Sequence, residues 1–323
     1  MCVITVIGEA LVDLVAVPGS RTYTAYPGGS PANVAIGLAR LGAPTSLLAR
    51  IGPDVFGRML REHLEGNGVD PRDLVAASEP SSLAVASLDP AGVATYDFWV
   101  DGTADWQWRD DELPDPLADD VEALHAGSLA SWMEPSAGII ERLLVREHSR
   151  SHVTLSLDPN CRPSLMGGGE ESRRRIEREV SLVDVVKVSE EDLRWLCPGQ
   201  TYQQVAKRWL SIGPALVTVT LGAYGAYALT RACEVQVPGF PVNVVDTVGA
   251  GDAFTAGLLD GLRRARLFGG AGRDALYNLN TGTLRRLLAE AVLVASLTCA
   301  RAGADPPTRG EVHRLNHGRE AEL

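Results

Sequence analysis

Lysine is almost absent from this 323-residue sequence, because Lys187 and Lys207 are the only two lysines among its 30 basic residues. No Gly-x-x-x-x-Gly-Lys-Ser/Thr run occurs, and its absence excludes a P-loop. Acidic residues number 41, so the formal net charge is −11. That balance argues against a nucleic acid or an anionic membrane surface as the main partner.

Cysteines with metal-binding spacing are also missing. The five cysteines are odd in number and scattered, at positions 2, 161, 197, 233 and 299. Without a Cys-x-x-Cys pair they indicate reduced cytosolic residues, and neither a zinc site nor a disulfide framework. The N-terminal run has no signal-peptide pattern, and the apolar stretch at 289–300 is too short to span a bilayer. We therefore expect a cytoplasmic protein with no membrane partner.

The composition is that of a globular protein able to bury a sizeable core, with 45% hydrophobic and 22% charged residues. The length allows one large α/β domain or two smaller ones. Apolar strand-like runs alternate with helical runs, which predicts a mostly parallel sheet with helices on both faces. Predicted strands include 3–7, 45–49, 153–157, 183–188 and 214–221, and predicted helices include 34–41, 58–65, 134–149, 253–262 and 283–300.

One run, Asp246-Thr-Val-Gly-Ala-Gly-Asp-Ala-Phe254, is placed between a strand-like stretch at 242–245 and a helical stretch. Gly249 and Gly251 let the backbone turn tightly, so its N–H groups and the helix dipole can form an anion site. Asp252 then lies in the first helical turn, where a carboxylate can take a proton from a hydroxyl group. A dinucleotide-binding fingerprint fails because Phe254 occupies the third glycine position. A plain strand-to-helix turn is an equally good interpretation of this run alone.

A second polar region is found near the N-terminus. Asp13 follows the first predicted strand, at the edge where open α/β sheets bind ligands. After the pair Gly28 and Gly29, Ser30 is predicted to be the N-cap of a helix with Pro31 at its first position. Asn33 falls in the first turn of that helix, where its amide can reach a polar ligand. A turn aspartate and an exposed asparagine without a role are the alternatives.

The two regions, 28–57 and 246–254, resemble the two signatures of the ribokinase-like (PfkB) family of carbohydrate kinases. The resemblance implies a single kinase domain over 1–323 with a three-layer α/β/α fold. It also implies a mostly parallel central sheet and a small β-sheet lid from about 10–27 and 82–104. Asp252 would be the catalytic base, and the backbone of Gly249, Ala250 and Gly251 would form the anion hole.

The same resemblance implies two sets of binding residues. Residues assigned to the sugar side of the cleft are Asp13, Gly28, Gly29, Asn33, Asp158 and Arg162. Residues assigned to ATP are Thr220, Gly222, Gly225, Thr247, Gly249 and Gly251. Asp158 and Arg162 come from the run Asp158-Pro-Asn-Cys-Arg162. An ion pair between these two residues is as good an interpretation of Arg162 as a contact with the transferring phosphate.

Metal ions and a partner subunit are implied as well. The family usually carries Asn-x-x-Glu where this chain has Ser189 and Asp192, so Mg²⁺ is expected to be reached by Asp192 through water. Asp246 and nearby carbonyl groups would hold K⁺, and relatives suggest a homodimer formed through the lid.

The sugar itself is expected to be fructose, because Gly-Gly-Ser-Pro-Ala-Asn and Asp-Pro-Asn-x-Arg are most similar to fructokinase members. Ribose, 2-keto-3-deoxygluconate and a nucleoside stay open, since lid residues such as Tyr96, Phe98 and Trp99 would decide the choice. A non-catalytic sugar or nucleotide sensor is the alternative from another class, and an NAD-dependent dehydrogenase is disfavoured by the missing glycine.

Overall fold

The computed structural model describes residues 2–16, 21–88 and 94–320. Residues 17–20 and 89–93 of the predicted lid, and the side chain of Tyr96, lie outside this description. Within the described ranges, nine strands form the large sheet, in the spatial order β13 (Glu234–Val237), β12 (Ala226–Leu229), β11 (Leu216–Thr220), β10 (Val185–Ser189), β9 (Thr154–Asp158), β8 (Val121–Gly127), β1 (Val3–Ile7), β4 (Thr45–Ile51) and β5 (Leu74–Ala76).

From β5 to β11 the neighbouring strands of the large sheet are parallel, and β12 and β13 are antiparallel additions at one edge. A smaller sheet has the order β3 (Tyr23–Gly28), β2 (Leu11–Ala16), β6 (Leu83–Leu88) and β7 (Ala94–Trp99). Its central pair, β2 and β6, is parallel, and its two outer pairs are antiparallel.

The helices of the described chain are α1 (Ser30–Arg40), α2 (Val55–Gly66), α3 (Ser136–Arg150), α4 (Pro163–Met166), α5 (Gly169–Val180), α6 (Glu190–Leu196), α7 (Tyr202–Leu210), α8 (Ala250–Arg264), α9 (Gly269–Tyr277), α10 (Thr281–Cys299) and α11 (Arg309–Glu320). None of them is long and apolar enough to cross a membrane.

Two hydrophobic cores lie on opposite faces of the large sheet, because successive side chains of a strand point to opposite faces. In β1, Ile4 and Val6 face the core that contains α1, α8 and α10, while Val3 and Ile7 face the core that contains α3, α5 and α7. The predicted three-layer architecture with a mostly parallel sheet is therefore confirmed.

The strand predicted at 242–245 is wrong. These residues are irregular, and the side chains of Val244 and Val245 are 64% and 63% exposed. Their β-branched composition favoured a strand, but the backbone N–H groups of Val245 and Asp246 bond to the carbonyl of Cys299 at the end of α10 instead. The segment is thus a surface connection that leads from β13 into α8.

Close packing of α1 on α8 gives a stability prediction. A Cβ atom at Gly37 of α1 would lie 2.7 Å from Cβ of Ala256 in α8. Gly37→Ala is therefore expected to destabilise the fold by about 1–3 kcal/mol through overpacking. Gly66→Ala is the matched control, because a Cβ atom there meets nothing within 4 Å. Equal urea midpoints for the two variants would show that α1 and α8 accommodate the added methyl group without loss of stability.

Candidate active site

The first turn of α8 places a buried carboxylate against α1. Gly249 is the N-cap with φ 73°, a conformation that glycine adopts without strain, and α8 begins at Ala250. Asp252, 8% exposed, accepts hydrogen bonds from Ser30 Oγ at 2.6 Å and from Asn33 Nδ2 at 2.9 Å. The two regions that the sequence separates by more than 200 positions therefore meet at one carboxylate.

Ser30 does not have the predicted N-cap role. Gly29 is the N-cap of α1, Ser30 is the first helical residue, and its hydroxyl donates to Asp252 instead of the backbone of its own helix. A serine between a glycine pair and a proline has the sequence pattern of a cap, and only the fold shows that a carboxylate of another helix is the better acceptor.

The protonation of Asp252 is set by opposing effects. Burial raises the pKa of this carboxyl above its usual range, while the hydrogen bonds from Ser30 and Asn33 and the charge of Lys187 lower it. A carboxylate with a raised pKa is a stronger proton acceptor than an exposed one. The direction of the shift therefore suits a general base.

Lys187 is a residue of this site that sequence reasoning missed. It lies in β10, and its Nζ forms an ion pair with Asp158 Oδ2 of β9 at 2.7 Å, with both side chains buried. A Cβ atom at Gly251 would lie 3.0 Å from Lys187 Nζ, so the ammonium group lies directly beneath the start of α8. The available signal was a lone lysine within a buried strand of a chain that has only two lysines.

Asp13 lies beside the glycine pair. A Cβ atom at Gly28 would overlap Asp13 Oδ2, and one at Gly29, where φ is 99°, would lie 2.6 Å from the carbonyl oxygen of Glu9. The backbone conformation at position 29 favours glycine, and a side chain at position 28 would have to displace the carboxylate of Asp13. Burial raises the pKa of Asp13 to about 6, against the lowering effect of Arg162, and the charge of Asp252 raises it further.

The ion pair considered between Asp158 and Arg162 is wrong, because Asp158 pairs with Lys187. Arg162 instead donates to Asn160 Oδ1 at 2.8 Å and to the carbonyl of Cys161 at 3.0 Å. Asp158 pairs with a lysine of the neighbouring strand β10, and the spacing within the run 158–162 does not indicate that contact.

Asp192 lies at the same edge of the large sheet. Its carboxylate accepts the backbone N–H of Cys161 at 3.2 Å and that of Ser189 at 3.4 Å, as part of the cap of α6. Burial raises the pKa of Asp192, as does the charge of Asp158. Among residues 2–16, 21–88 and 94–320, no cluster of three or more His, Cys, Asp or Glu side chains has metal-binding geometry.

The residues assigned to the nucleotide lie along that edge too. Thr220 ends β11 opposite Ser189 of β10. Gly222 and Gly225 follow in a tight turn with φ values of 57° and 91°, and a Cβ atom at Gly225 would overlap the carbonyl oxygen of Val237. Thr247 is exposed just before α8. Asp246 accepts the N–H groups of Val248 at 3.1 Å and Gly303 at 2.8 Å. It thereby links the segment before α8 to the turn after α10.

The chain as a whole matches a known protein family. The sequence profile described as pfkB family carbohydrate kinase matches residues 2–309. This chain belongs to the pfkB family of carbohydrate kinases. The family inferred from the two signature regions is confirmed.

Several pfkB relatives are similar over most of their length. A fructokinase from Rhizobium leguminosarum bv. trifolii is 40% identical over 263 residues, which cover 80% of this chain and 79% of the relative. The crystal structure of fructokinase with bound ATP from Xylella fastidiosa is 30% identical, has a TM-score of 0.89 and covers 98% of this chain and 99% of its own. A fructokinase double mutant from Vibrio cholerae O395, in a form with bound fructose, ADP and potassium ion, is 29% identical with a TM-score of 0.83, covering 97% and 98%.

Family membership makes this chain a sugar kinase, similar to fructokinases. The ribokinase-like fold predicted from the resemblance is confirmed by the same solved structures. The roles of individual site residues stay predictions, to which the geometry adds Lys187 and Ser30.

Proposed function

We propose that this pfkB kinase transfers the γ-phosphoryl group of ATP to a hydroxyl group of fructose. The observation that carries the proposal is the position of Asp252, buried in the first turn of α8 and held by hydrogen bonds from Ser30 and Asn33 of the other signature region. The ATP named for the Xylella fastidiosa relative, and the fructose and ADP named for the Vibrio cholerae one, support this choice of substrates.

In the proposed reaction Asp252 accepts the proton of the sugar hydroxyl group while the oxygen of that hydroxyl group attacks the γ-phosphorus of ATP. Backbone N–H groups of Gly249, Ala250 and Gly251, at the positive end of α8, stabilise charge on the transferring group. The bond to ADP breaks as the new P–O bond forms. Ser30 and Asn33 hold the carboxylate in one orientation, which removes the need to order it during the reaction.

We assign the sugar contacts to the region around Asp13. Its ionised carboxylate would accept a sugar hydroxyl, and Gly28 and Gly29 leave room for the ring. Asn33 would direct a second hydroxyl group and Arg162 would face the transferring phosphate. Asp158 is assigned to holding Lys187 in place, which its buried ion pair supports.

The small sheet is proposed as the lid over the sugar. Its register places Tyr26, Asp13, Ala84 and Phe98 side by side across four strands, so these side chains share one face. Two aromatic residues thus flank the acceptor on the face we assign to the substrate. Tyr23 and Trp99 lie on the opposite face, 54% and 56% exposed, which supports a homodimer formed through this sheet.

The nucleotide is assigned to Thr220, Gly222, Gly225 and Thr247, along the edge of the sheet that leads to α8. Mg²⁺ would neutralise phosphate charge, with ATP oxygens and water as its ligands, and Asp192 would contact it through water. One carboxylate already engaged in a helix cap fits that indirect role. Asp246, joined to the 301–305 turn through Gly303, is assigned to K⁺. A cytoplasmic location completes the proposal.

A panel assay tests the substrate. Purified protein, ATP and Mg²⁺ are incubated in turn with fructose, ribose, 2-keto-3-deoxygluconate and a nucleoside, and ADP release is followed by a coupled enzyme. Fructose is expected to give the highest kcat/KM of the four. A higher value with another acceptor would reassign the substrate, and no ADP with any of them would favour a sensor.

Sugar affinity should depend on pH through Asp13. Since the pKa of Asp13 is raised to about 6, its hydroxyl-accepting anionic form is present above that pH and is lost as the pH falls through it. The Kd for fructose, measured by calorimetry without ATP, is therefore expected to rise below about pH 6. Asp13→Asn should bind weakly with little of this dependence. An unchanged pH profile in that variant would remove Asp13 from the sugar site.

A further inference from the structure

Four chain segments connect the small sheet to the body of the molecule, and three of them meet at the buried carboxylate of Asp105. Oδ1 accepts the N–H of Ala10, in the segment that leads into β2, at 2.9 Å. Oδ2 accepts the hydroxyl of Ser82, just before β6, at 2.5 Å. Asp105 itself lies in the segment that follows β7 and is 1% exposed. The fourth segment, at Gly29, packs against the carbonyl of Glu9.

Further buried contacts fix these segments to each other and to the large sheet. Ser82 Oγ lies 2.6 Å from the hydroxyl of Thr103, and the N–H of Ala104 donates to the carbonyl of Pro80 at 2.9 Å. Arg50 of β4, itself fully buried, donates to the carbonyl of Ala104 at 3.0 Å and pairs with Glu79 at 3.0 Å. Arg50 therefore attaches these connecting segments, which we call the junction, to β4 of the large sheet.

We infer that Asp105 is a positioning residue for sugar binding, because it fixes the start of β2 and thereby the place of Asp13. Only three positions separate Ala10, whose N–H it accepts, from Asp13. Asp105 touches none of the residues assigned to the phosphoryl group. This inference rests on the proposed function, in which Asp13 binds the sugar and Asp252 acts in the transfer step.

The hydrogen-bond inventory of the junction distinguishes two substitutions. In Asp105→Asn the amide oxygen can still accept the N–H of Ala10, while the amide N–H₂ donates to Ser82, whose hydroxyl then donates to Thr103. In Asp105→Ala the N–H of Ala10 loses its acceptor in a buried place, and Ser82 loses its hydrogen bond to residue 105, although its hydroxyl can still donate to Thr103. The asparagine variant should therefore preserve the geometry, and the alanine variant should not.

Steady-state kinetics of sugar-dependent ADP formation test the inference. Wild-type protein is measured first, and the absence of any sugar-dependent ADP would refute the proposed function before a variant is compared. Asp105→Ala is expected to raise the KM for fructose about ten-fold or more, because the buried N–H of Ala10 at the start of β2 is left unsatisfied. Its kcat and its KM for ATP should stay within about two-fold of wild type. Asp105→Asn should restore the fructose KM to within about three-fold of wild type.

Two further variants complete the design. Asp101→Ala, an exposed aspartate of the same segment, should be kinetically unchanged. Ser82→Ala decides the question where Asp105→Ala does not fold, and it should raise the fructose KM about three-fold or more at constant kcat. An unchanged fructose KM in Asp105→Ala, or in Ser82→Ala where Asp105→Ala does not fold, would overturn the inference. The inference would also be overturned if Asp105→Ala lost both kcat and sugar affinity and Asp105→Asn recovered neither.

Discussion

Asp252→Asn is expected to lower kcat for sugar phosphorylation by about three orders of magnitude or more, since a positioned general base contributes on that scale. ATP affinity should be largely intact, because the N–H groups at the start of α8 are unaffected. The amide can preserve both local contacts, with its oxygen accepting Asn33 and its N–H₂ donating to Ser30. The loss therefore reports on proton transfer and not on a disordered site.

The measurement is kcat by coupled ADP release, together with the Kd for ATP by calorimetry. Asp274→Asn, an exposed aspartate of α9, is the matched control and should behave as wild type. Normal turnover by the Asp252 variant would rule out its role as base. Lost ATP binding would instead assign this carboxylate to the nucleotide.

Lys187→Met is expected to cost about 3–5 kcal/mol of unfolding free energy, because it leaves the buried carboxylate of Asp158 without its ion pair. Burial disfavours charge at Lys187, yet the nearby carboxylate of Asp158 still holds the pKa of this lysine above its usual range. Lys187 is thus protonated at neutral pH. Turnover should fall as well, since the ammonium group beneath Gly251 adds positive charge at the anion hole.

The other lysine of the chain provides the control for this experiment. Lys207→Met changes an exposed residue of α7 with the same chemistry. Urea unfolding should separate the two variants clearly, and Asp158→Asn combined with Lys187→Met should recover part of the lost stability by removing the unpaired charge. Coincident unfolding curves for the two single lysine variants would show that the buried pair contributes nothing.

Local sequence patterns predicted most of the architecture because they reflect burial along single elements. The run from 3 to 7 is buried on both faces, as a central parallel strand requires, and the glycines at 29 and 249 have positive φ angles that favour glycine. The position of Asp252 in a first helical turn followed from the same reasoning. Its identification as a base came from resemblance to a family.

Contacts between distant segments could not be predicted in this way. The hydroxyl of Ser30 and the amide of Asn33 are directed to Asp252 by the packing of α1 on α8, a contact that no local pattern encodes. The pairing of Lys187 with Asp158 depends on β9 and β10 being neighbours. The junction at Asp105 joins segments more than 90 positions apart. Each of these was settled by topology, which places side chains together after the elements have formed.

A crystal structure with fructose, ADP and a planar fluoride analogue of the transferring phosphoryl group tests the role of α8 most directly. The reacting hydroxyl oxygen is expected within about 3 Å of a carboxylate oxygen of Asp252, with the analogue against the N–H groups of residues 249–251. A sugar bound with its hydroxyl groups away from Asp252, while that carboxylate stays bonded only to Ser30 and Asn33, would contradict the proposed mechanism.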